Sequence, residues 1–232
     1  IDGLGGPVRT RVSVVIDEGK IVRVVEGFME PQQEDRVVDL SSCTVLPGLM
    51  DMHVHLNSEH SKDSRLNRFI TNEADYAIDA VKYAKRTLEA GFTVVRNVGD
   101  AFNVTIALRK AIESGDVPGP RIFSTGKSLA TTGGHADSTN GWAKHIAGDP
   151  GPKQGVVNGI SDIRKAVRQR YKDGADWIIA KNNDILVGAA PYNGSSQTEV
   201  VVMGEEQFDL DDFTCDSGPV NTCGMMISGQ TP

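Results

Sequence analysis

The chain has 232 residues, of which 39% are hydrophobic and 6% aromatic, enough to bury one sizeable core or two small ones. No apolar run nears the roughly 18 residues of a membrane span, and the scattered basic residues leave no footprint for nucleic acid, so neither is an expected partner. The formal net charge of -7 is unevenly placed: residues 1–178 hold 23 acidic and 23 basic side chains, whereas residues 179–232 hold eight acidic residues and one basic residue, Lys181. The opening Ile1-Asp2-Gly3 has neither Met nor a charged and then apolar leader. A signal peptide is expected to have been removed or to lie outside this sequence, and a soluble protein, cytoplasmic or secreted, is the expectation. Cys43, Cys215 and Cys223 make neither a disulfide framework nor a zinc quartet and are expected to be isolated thiols.

In chain order, Arg11 to Ile16 and Lys20 to Val25 read as small antiparallel strands joined by a turn at Asp17-Glu18-Gly19. The β signal continues through Val37 to Leu40 and Thr44 to Leu46, up to Pro47-Gly48. From Leu49 strands and helices alternate. The apolar run Leu49 to His55 is the first strand, and its apolar character is that of a strand covered on both faces. Ala74, Ala77, Ile78, Val81, Ala84 and Leu88 recur at helical spacing between a cap at Asn72 and a stop at Gly91.

Phe92 to Val95 is the next strand, Val104 to Ile112 a helix closing at Gly115, and Arg121 to Ser124 a third strand. A Gly-rich stretch, Gly126 to Asn158, contains Trp142. Ser161 is expected to cap a helix through Ile163, Ala166, Val167 and Tyr171 that stops at Gly174, and Trp177-Ile178-Ile179 begins a fourth strand. Such units imply a parallel sheet with helices outside. Beyond Ile179 only Val200 to Met203 reads as a strand.

Pro47-Gly48-Leu49-Met50-Asp51-Met52-His53-Val54-His55 is the sharpest local feature. Strand residues two apart face the same side, so His53 and His55 present both imidazoles together. Imidazole suits divalent Zn, Fe and Ni, and βα barrels carry their catalytic groups at strand C-terminal ends. A bare H-x-H also occurs in strands that bind nothing. Its place at the end of an apolar strand, directly after a β segment and Pro-Gly, favours metal ligands.

"TVLPGLMDMHVHL" resembles the first barrel strand of the amidohydrolase superfamily. "RNVGDAF", "GPRIFSTGKSLATTGGHAD" and "VRQRYKDGADWI" are similar to its Xaa-Pro dipeptidase (prolidase-like) and imidazolonepropionase-like branch. The resemblance covers residues 1–178 and rests on the motifs occurring in order. It implies an α/β fold: about three and a half βα units of a (β/α)8 TIM-type barrel, preceded by a small β-sandwich segment. It also implies hydrolysis of an amide or peptide C–N bond in a dipeptide or N-acyl amino acid, with a strand-eight Asp shuttling the proton. The cofactor implied is a divalent metal, zinc foremost, with two ions in the complete family fold. His53 and His55 match the first ligand pair. His135, in Thr132-Gly133-Gly134-His135-Ala136-Asp137, matches a histidine that meets substrate; read without the family, it is a loop residue in a Gly turn. His60 and His145 read as solvated loop histidines, and Glu59 and Asp51 as structural.

The chain departs from the family where the two metals are bridged by a carboxylated lysine in a Gly-Ala-Asp-x-Ile-Lys pattern. It reads Gly174-Ala175-Asp176-Trp177-Ile178-Ile179, so isoleucine stands at the bridge. Lys181, two residues on, is displaced by roughly 6–7 Å along a strand, too far for metals about 3.5–4 Å apart. The histidines of strands five and six and the strand-eight Asp have no counterpart. A barrel needs about 250 residues, and 185 follow Pro47.

The expected organisation is a β-sandwich segment over 1–47, the first part of the barrel over 48–181 and an atypical acidic tail over 182–232, poorly packed. The foremost expectation is an incomplete copy of the enzyme, with no catalytic residue assignable and little activity by itself. Competing readings are a non-catalytic half-barrel module for binding or assembly, and a single-metal site completed by a tail carboxylate such as Asp184. Assembly into a homo-oligomer stays open.

Overall fold

The computed structural model describes residues 5–181 and 199–203, with Ala180, Lys181 and 199–203 described by their backbone alone. The chain divides into two compact units, Ile1–Gly48 and Leu49–Pro232. In the first, β1 (Val12–Asp17) and β2 (Lys20–Glu26) form an antiparallel hairpin in which Asp17 faces Lys20. Glu18 and Gly19 both take positive φ, 46° and 75°, the requirement of the two-residue turn whose twist matches that of the flanking strands. Ser13 Oγ donates to the Gly27 carbonyl and accepts from the Met29 N–H, both at 3.0 Å.

Residues 37–40 and 44–46, expected as strands, form none. Their β-branched residues remain exposed, because β propensity becomes a strand only beside a neighbour that supplies donors and acceptors. Among the described residues no strand ladder includes them. Cys43 is a free, exposed thiol; Cys215 and Cys223 lie outside the described residues.

The second unit is built on three parallel strands in the order β3 (Leu49–Val54), β4 (Phe92–Asn97), β5 (Arg121–Ser124). Their register sets Val54 beside Asn97 and Asn97 beside Ser124, so the strand ends are aligned. A short helix not expected from the sequence, α1 (Ser64–Ile70), follows β3 and buries none of its residues. Next comes α2 (Glu73–Glu89), entered at Asn72, whose N–H donates to Asp75 Oδ2 at 2.9 Å. Gly91 stops it with φ 95°, a conformation that costs glycine little.

Helix α3 (Val104–Glu113) links β4 to β5. Ala80 and Ala84 are fully buried and let α2 lie close to the sheet. They share one core with Leu56, Val95, Val104, Leu108 and Ile122. Ile78, counted in the apolar spacing of α2, instead lies 72% exposed, and Met50 on β3 is 67% exposed, so β3 is not covered on both faces among the described residues.

The stretch 126–158 carries α4 (Lys144–Ala147), and its Trp142 ring meets Phe69 of α1 at 5.1 Å. Its two ends meet: Ala130 N–H donates to the Gly155 carbonyl and Val157 N–H to the Ala130 carbonyl, each at 2.8 Å. Helix α5 (Ile160–Asp173) begins after Gly159 rather than at Ser161. Asp162 accepts the Asn158 N–H at 3.1 Å and so draws the helix start upstream. Gly174 ends it in the left-handed region, φ 88°. Ala166 of α5 joins Leu129 and Val157 in a second core, with Ile178 against it.

Strand β6 (Trp177–Lys181) departs from the expected all-parallel ladder. It pairs antiparallel with β7 (Glu199–Met203), Trp177 facing Met203. It runs alongside the chain leaving β5 through two backbone bonds, Asp176 N–H to the Ser124 carbonyl at 2.8 Å and Leu129 N–H to the Ile179 carbonyl at 2.9 Å. Because β5 is four residues long, those bonds continue its direction without forming a ladder. Apart from β7, the acidic segment 182–232 lies outside the described residues. Among the described residues no helix is long and apolar enough to cross a membrane.

Candidate metal centre

Val54, Val95 and Ile122 pack into the helix-facing core, and strand alternation turns His53, Arg96 and Phe123 to the opposite face. On that face the Arg96 guanidinium lies 5.8 Å over the Trp177 ring, and Phe123 meets Trp177 edge-on at 6.4 Å. Arg96 Nε also donates to the Met52 carbonyl at 2.6 Å, tying β4 to the strand that carries His53.

His53 is the penultimate residue of β3 and His55 lies just past its end. Their ring centroids are 5.6 Å apart with planes at 71°. Asp51 acts on the backbone here, its Oδ1 accepting the His53 N–H at 2.9 Å, in keeping with a structural reading. The His55 Nδ1 lies 2.9 Å from the Gly99 carbonyl oxygen. A carbonyl can only accept, so Nδ1 carries the proton and a metal would be taken at Nε2.

The support behind His55 is buried and polar. The Gly99 oxygen also accepts from Asn97 Nδ2 at 3.2 Å, and Asn97 Oδ1 accepts the Leu56 N–H at 2.7 Å. Gly99 itself has φ +113°, and a Cβ there would collide with Ser128 Oγ and stand 3.8 Å from His55 Cε1. Thr105 links Asn97 to Asp100, whose Oδ2 accepts from both the hydroxyl and the N–H of Thr105. The other oxygen of Asp100 is buried without a hydrogen-bond partner. Burial holds the Asp100 carboxyl above the usual carboxylate range, against hydrogen bonds from Thr105 and the N–H groups of Asn103 and Val104.

His135 is exposed on a turn after β5. Asp137 cinches that turn: its carboxylate accepts the Gly133 N–H, the Thr139 N–H and the Thr139 hydroxyl at 2.9, 2.9 and 2.7 Å. Burial opposes ionisation of Asp137, but these donors outweigh it and the carboxyl sits below its ordinary range. His60 and His145 are exposed, and Glu59 pairs with Arg86 at 3.4 Å on the surface. Ile179, at the strand-four position of the resemblance, is 1% exposed. Asp184 and the Lys181 side chain lie outside the described residues.

The structure thus brings His53 and His55 together. Among the described residues no third His, Cys, Asp or Glu completes a group able to hold a metal ion. Sequence reasoning did not find Asn97, Gly99, Asp100 or Ser128. One signal was available for Asn97: a polar residue stands where β4 otherwise alternates a core residue toward the helices.

The sequence model described as "Amidohydrolase family" matches residues 44–200. Ochratoxinase of Aspergillus niger is 27% identical over 198 residues, covering 77% of this chain and 39% of its own. Among solved structures, a Xaa-Pro dipeptidase with methionine bound in its active site superposes with a TM-score of 0.73 at 48% identity, over 78% of this chain and 44% of that one. A prolidase complexed with N-methylphosphonate-L-proline gives 0.57 at 31% identity, over 70% of this chain and 40% of that one. The chain spans about two fifths of the length of these relatives.

Proposed function

The chain belongs to the amidohydrolase family, and from that premise we propose that it carries the first ligand pair of a metal-dependent hydrolase of amide or peptide C–N bonds, of the Xaa-Pro dipeptidase kind. The observation that carries this reading is the geometry of His53 and His55: two imidazoles 5.6 Å apart at the end of a parallel strand, one of them fixed through Nδ1. Support for the dipeptidase kind comes from the 48% identity to the Xaa-Pro dipeptidase. Dipeptides or N-acyl amino acids are the substrate class, and exposed His135 is the candidate to meet them.

The family acts on small molecules and generally uses divalent metals. The donor set here fits one ion, zinc by preference, held by His53 and His55 through two of its positions. A bound divalent ion supplies Lewis acidity toward an amide carbonyl. Ile179 offers no donor atom, so the residues do not fit a lysine-bridged pair. Catalytic zinc sites generally use three protein ligands, and low activity of the chain by itself is the expectation from the two present among the described residues.

The test is Zn²⁺ binding by calorimetry, together with hydrolysis of Xaa-Pro and N-acyl amino acid substrates with Zn²⁺ or Mn²⁺ and bicarbonate. The control is the double variant His53→Ala/His55→Ala. Weak binding abolished in the double variant, with negligible turnover, is the expected result. Turnover that the double variant loses supports a minimal single-metal enzyme instead, and binding unchanged in the double variant overturns the assignment. A non-catalytic half-barrel module is the second reading, favoured by the aliphatic side chain at 179; it requires turnover to stay absent at saturating metal.

A further inference from the structure

Asn97 ends β4, is fully buried, and bonds on both sides of His55. Its Oδ1 takes the N–H of Leu56, one residue beyond His55, at 2.7 Å. Its Nδ2 donates to the Gly99 oxygen at 3.2 Å, the same oxygen that holds the His55 ring at 2.9 Å. The amide orientation is set by chemistry, since an N–H can only donate and a carbonyl can only accept. Gly99 is the residue of the loop freest to rotate, so its carbonyl is a defined acceptor only while something pins it. The Asp100 N–H, in the same planar peptide, donates to the Gly126 carbonyl at 3.0 Å, Asn97 grips the oxygen itself, and a second Nδ2 contact, to Thr105 Oγ1 at 3.3 Å, anchors Asn97 in turn to the buried hydroxyls of Thr105 and Ser124, 2.7 Å apart.

We infer that Asn97 is a positioning residue that fixes His55 as the Nδ1–H tautomer, by gripping both the backbone beyond the histidine and the carbonyl bonded to its ring. The functional meaning of this grip rests on the proposed ligand role of His55; its geometry does not. Partners that orient a metal-binding imidazole typically change metal affinity about 10- to 100-fold when removed.

The experiment reads the His55 ring by ¹⁵N-edited NMR on the metal-free full chain at alkaline pH. The samples are the wild type, Asn97→Asp, Asn97→Ala and Ser124→Ala. Asn97→Asp keeps an acceptor for Leu56 but loses both donations and repels the Gly99 oxygen. Ser124→Ala loosens the same buried chain while leaving both bonds around His55 intact.

The wild type is expected to be predominantly Nδ1–H. Both Asn97 variants should move toward Nε2–H by about tenfold in ratio and lose about 10- to 100-fold in Zn²⁺ affinity, whereas Ser124→Ala changes neither. A folded Asn97 variant with the wild-type ratio overturns the inference, as does an equal shift in Ser124→Ala. Should neither Asn97 variant fold, the remaining spectra still decide: Nε2–H in the wild type overturns the grip, and Nδ1–H in both the wild type and Ser124→Ala supports it. A wild type that binds no Zn²⁺ removes the metal reading, and the tautomer ratios then judge the grip alone.

Discussion

Arg170 is joined to Lys127 through the backbone rather than through charge: its Nε donates to the Lys127 carbonyl at 2.7 Å. Arg170 is 1% exposed, and Asp173 is its ion-pair partner at 3.6 Å. Burial, and then the neighbouring Arg170, depress the Lys127 amine below its usual range.

Removing the Arg170 head should therefore expose a fault in the second core. Arg170→Ala strands the Lys127 carbonyl and opens a void, and a large-to-small change at a buried site costs about 2–5 kcal/mol. Arg170→Met keeps most of the volume and should lose less than half as much. Urea unfolding of both variants checks the order; equal losses would mean that charge, not volume, decides.

At Gly99 two penalties are separable. Alanine there suffers the positive φ and the collision with Ser128 Oγ, and strained backbone of this kind costs about 1–3 kcal/mol. Gly99→Ala/Ser128→Gly removes the collision and keeps the φ penalty. The double variant is expected to recover part of the stability lost in Gly99→Ala, measured by thermal unfolding. Full recovery would show that the backbone is not strained.

The raised Asp100 carboxyl gives a pH signature. The folded state holds this proton more tightly than the unfolded chain, so folding is favoured increasingly as pH falls from the raised value toward the ordinary one near 3.9. Below both values the effect is flat. Asp100→Asn lacks that slope. The stability of the wild type relative to Asp100→Asn should rise on acidification from neutral pH, and a difference constant across that range would contradict the burial effect.

Asp137 has the opposite sign. Its lowered carboxyl contributes above the unfolded value near 3.9 and loses that contribution as pH falls through the folded value. Asp137→Ala should speed amide exchange at Gly133 and Thr139 by at least about tenfold at neutral pH, with the α2 amides unchanged. Unaltered exchange at both positions would mean that the His135 turn is held by other means.

The βα order was legible because its punctuation is local: Gly91, Gly115 and Gly174 all take positive φ at helix ends. The His53/His55 pair was legible because strand periodicity needs only neighbouring residues. Asn97 was not, since its partner Leu56 is 41 positions away and the Gly99 bond to His55 spans 44. Arg170 shares its helix with Arg164, Lys165, Arg168 and Lys172, and its burial depends on a carbonyl 43 residues distant. Helix α1 buries nothing of its own and is met by Trp142 from a later loop. Residues 37–46 failed for the converse reason: local propensity was present, and among the described residues no strand ladder formed there.

A strand has two hydrogen-bonding edges, and on β6 both are spoken for. One is bonded to the chain leaving β5 and the other to β7, which runs in the opposite direction. A barrel of parallel strands closes by admitting each new strand at the free flank of the last. Where β7 lies, a fifth parallel strand would have to displace it before docking on β6.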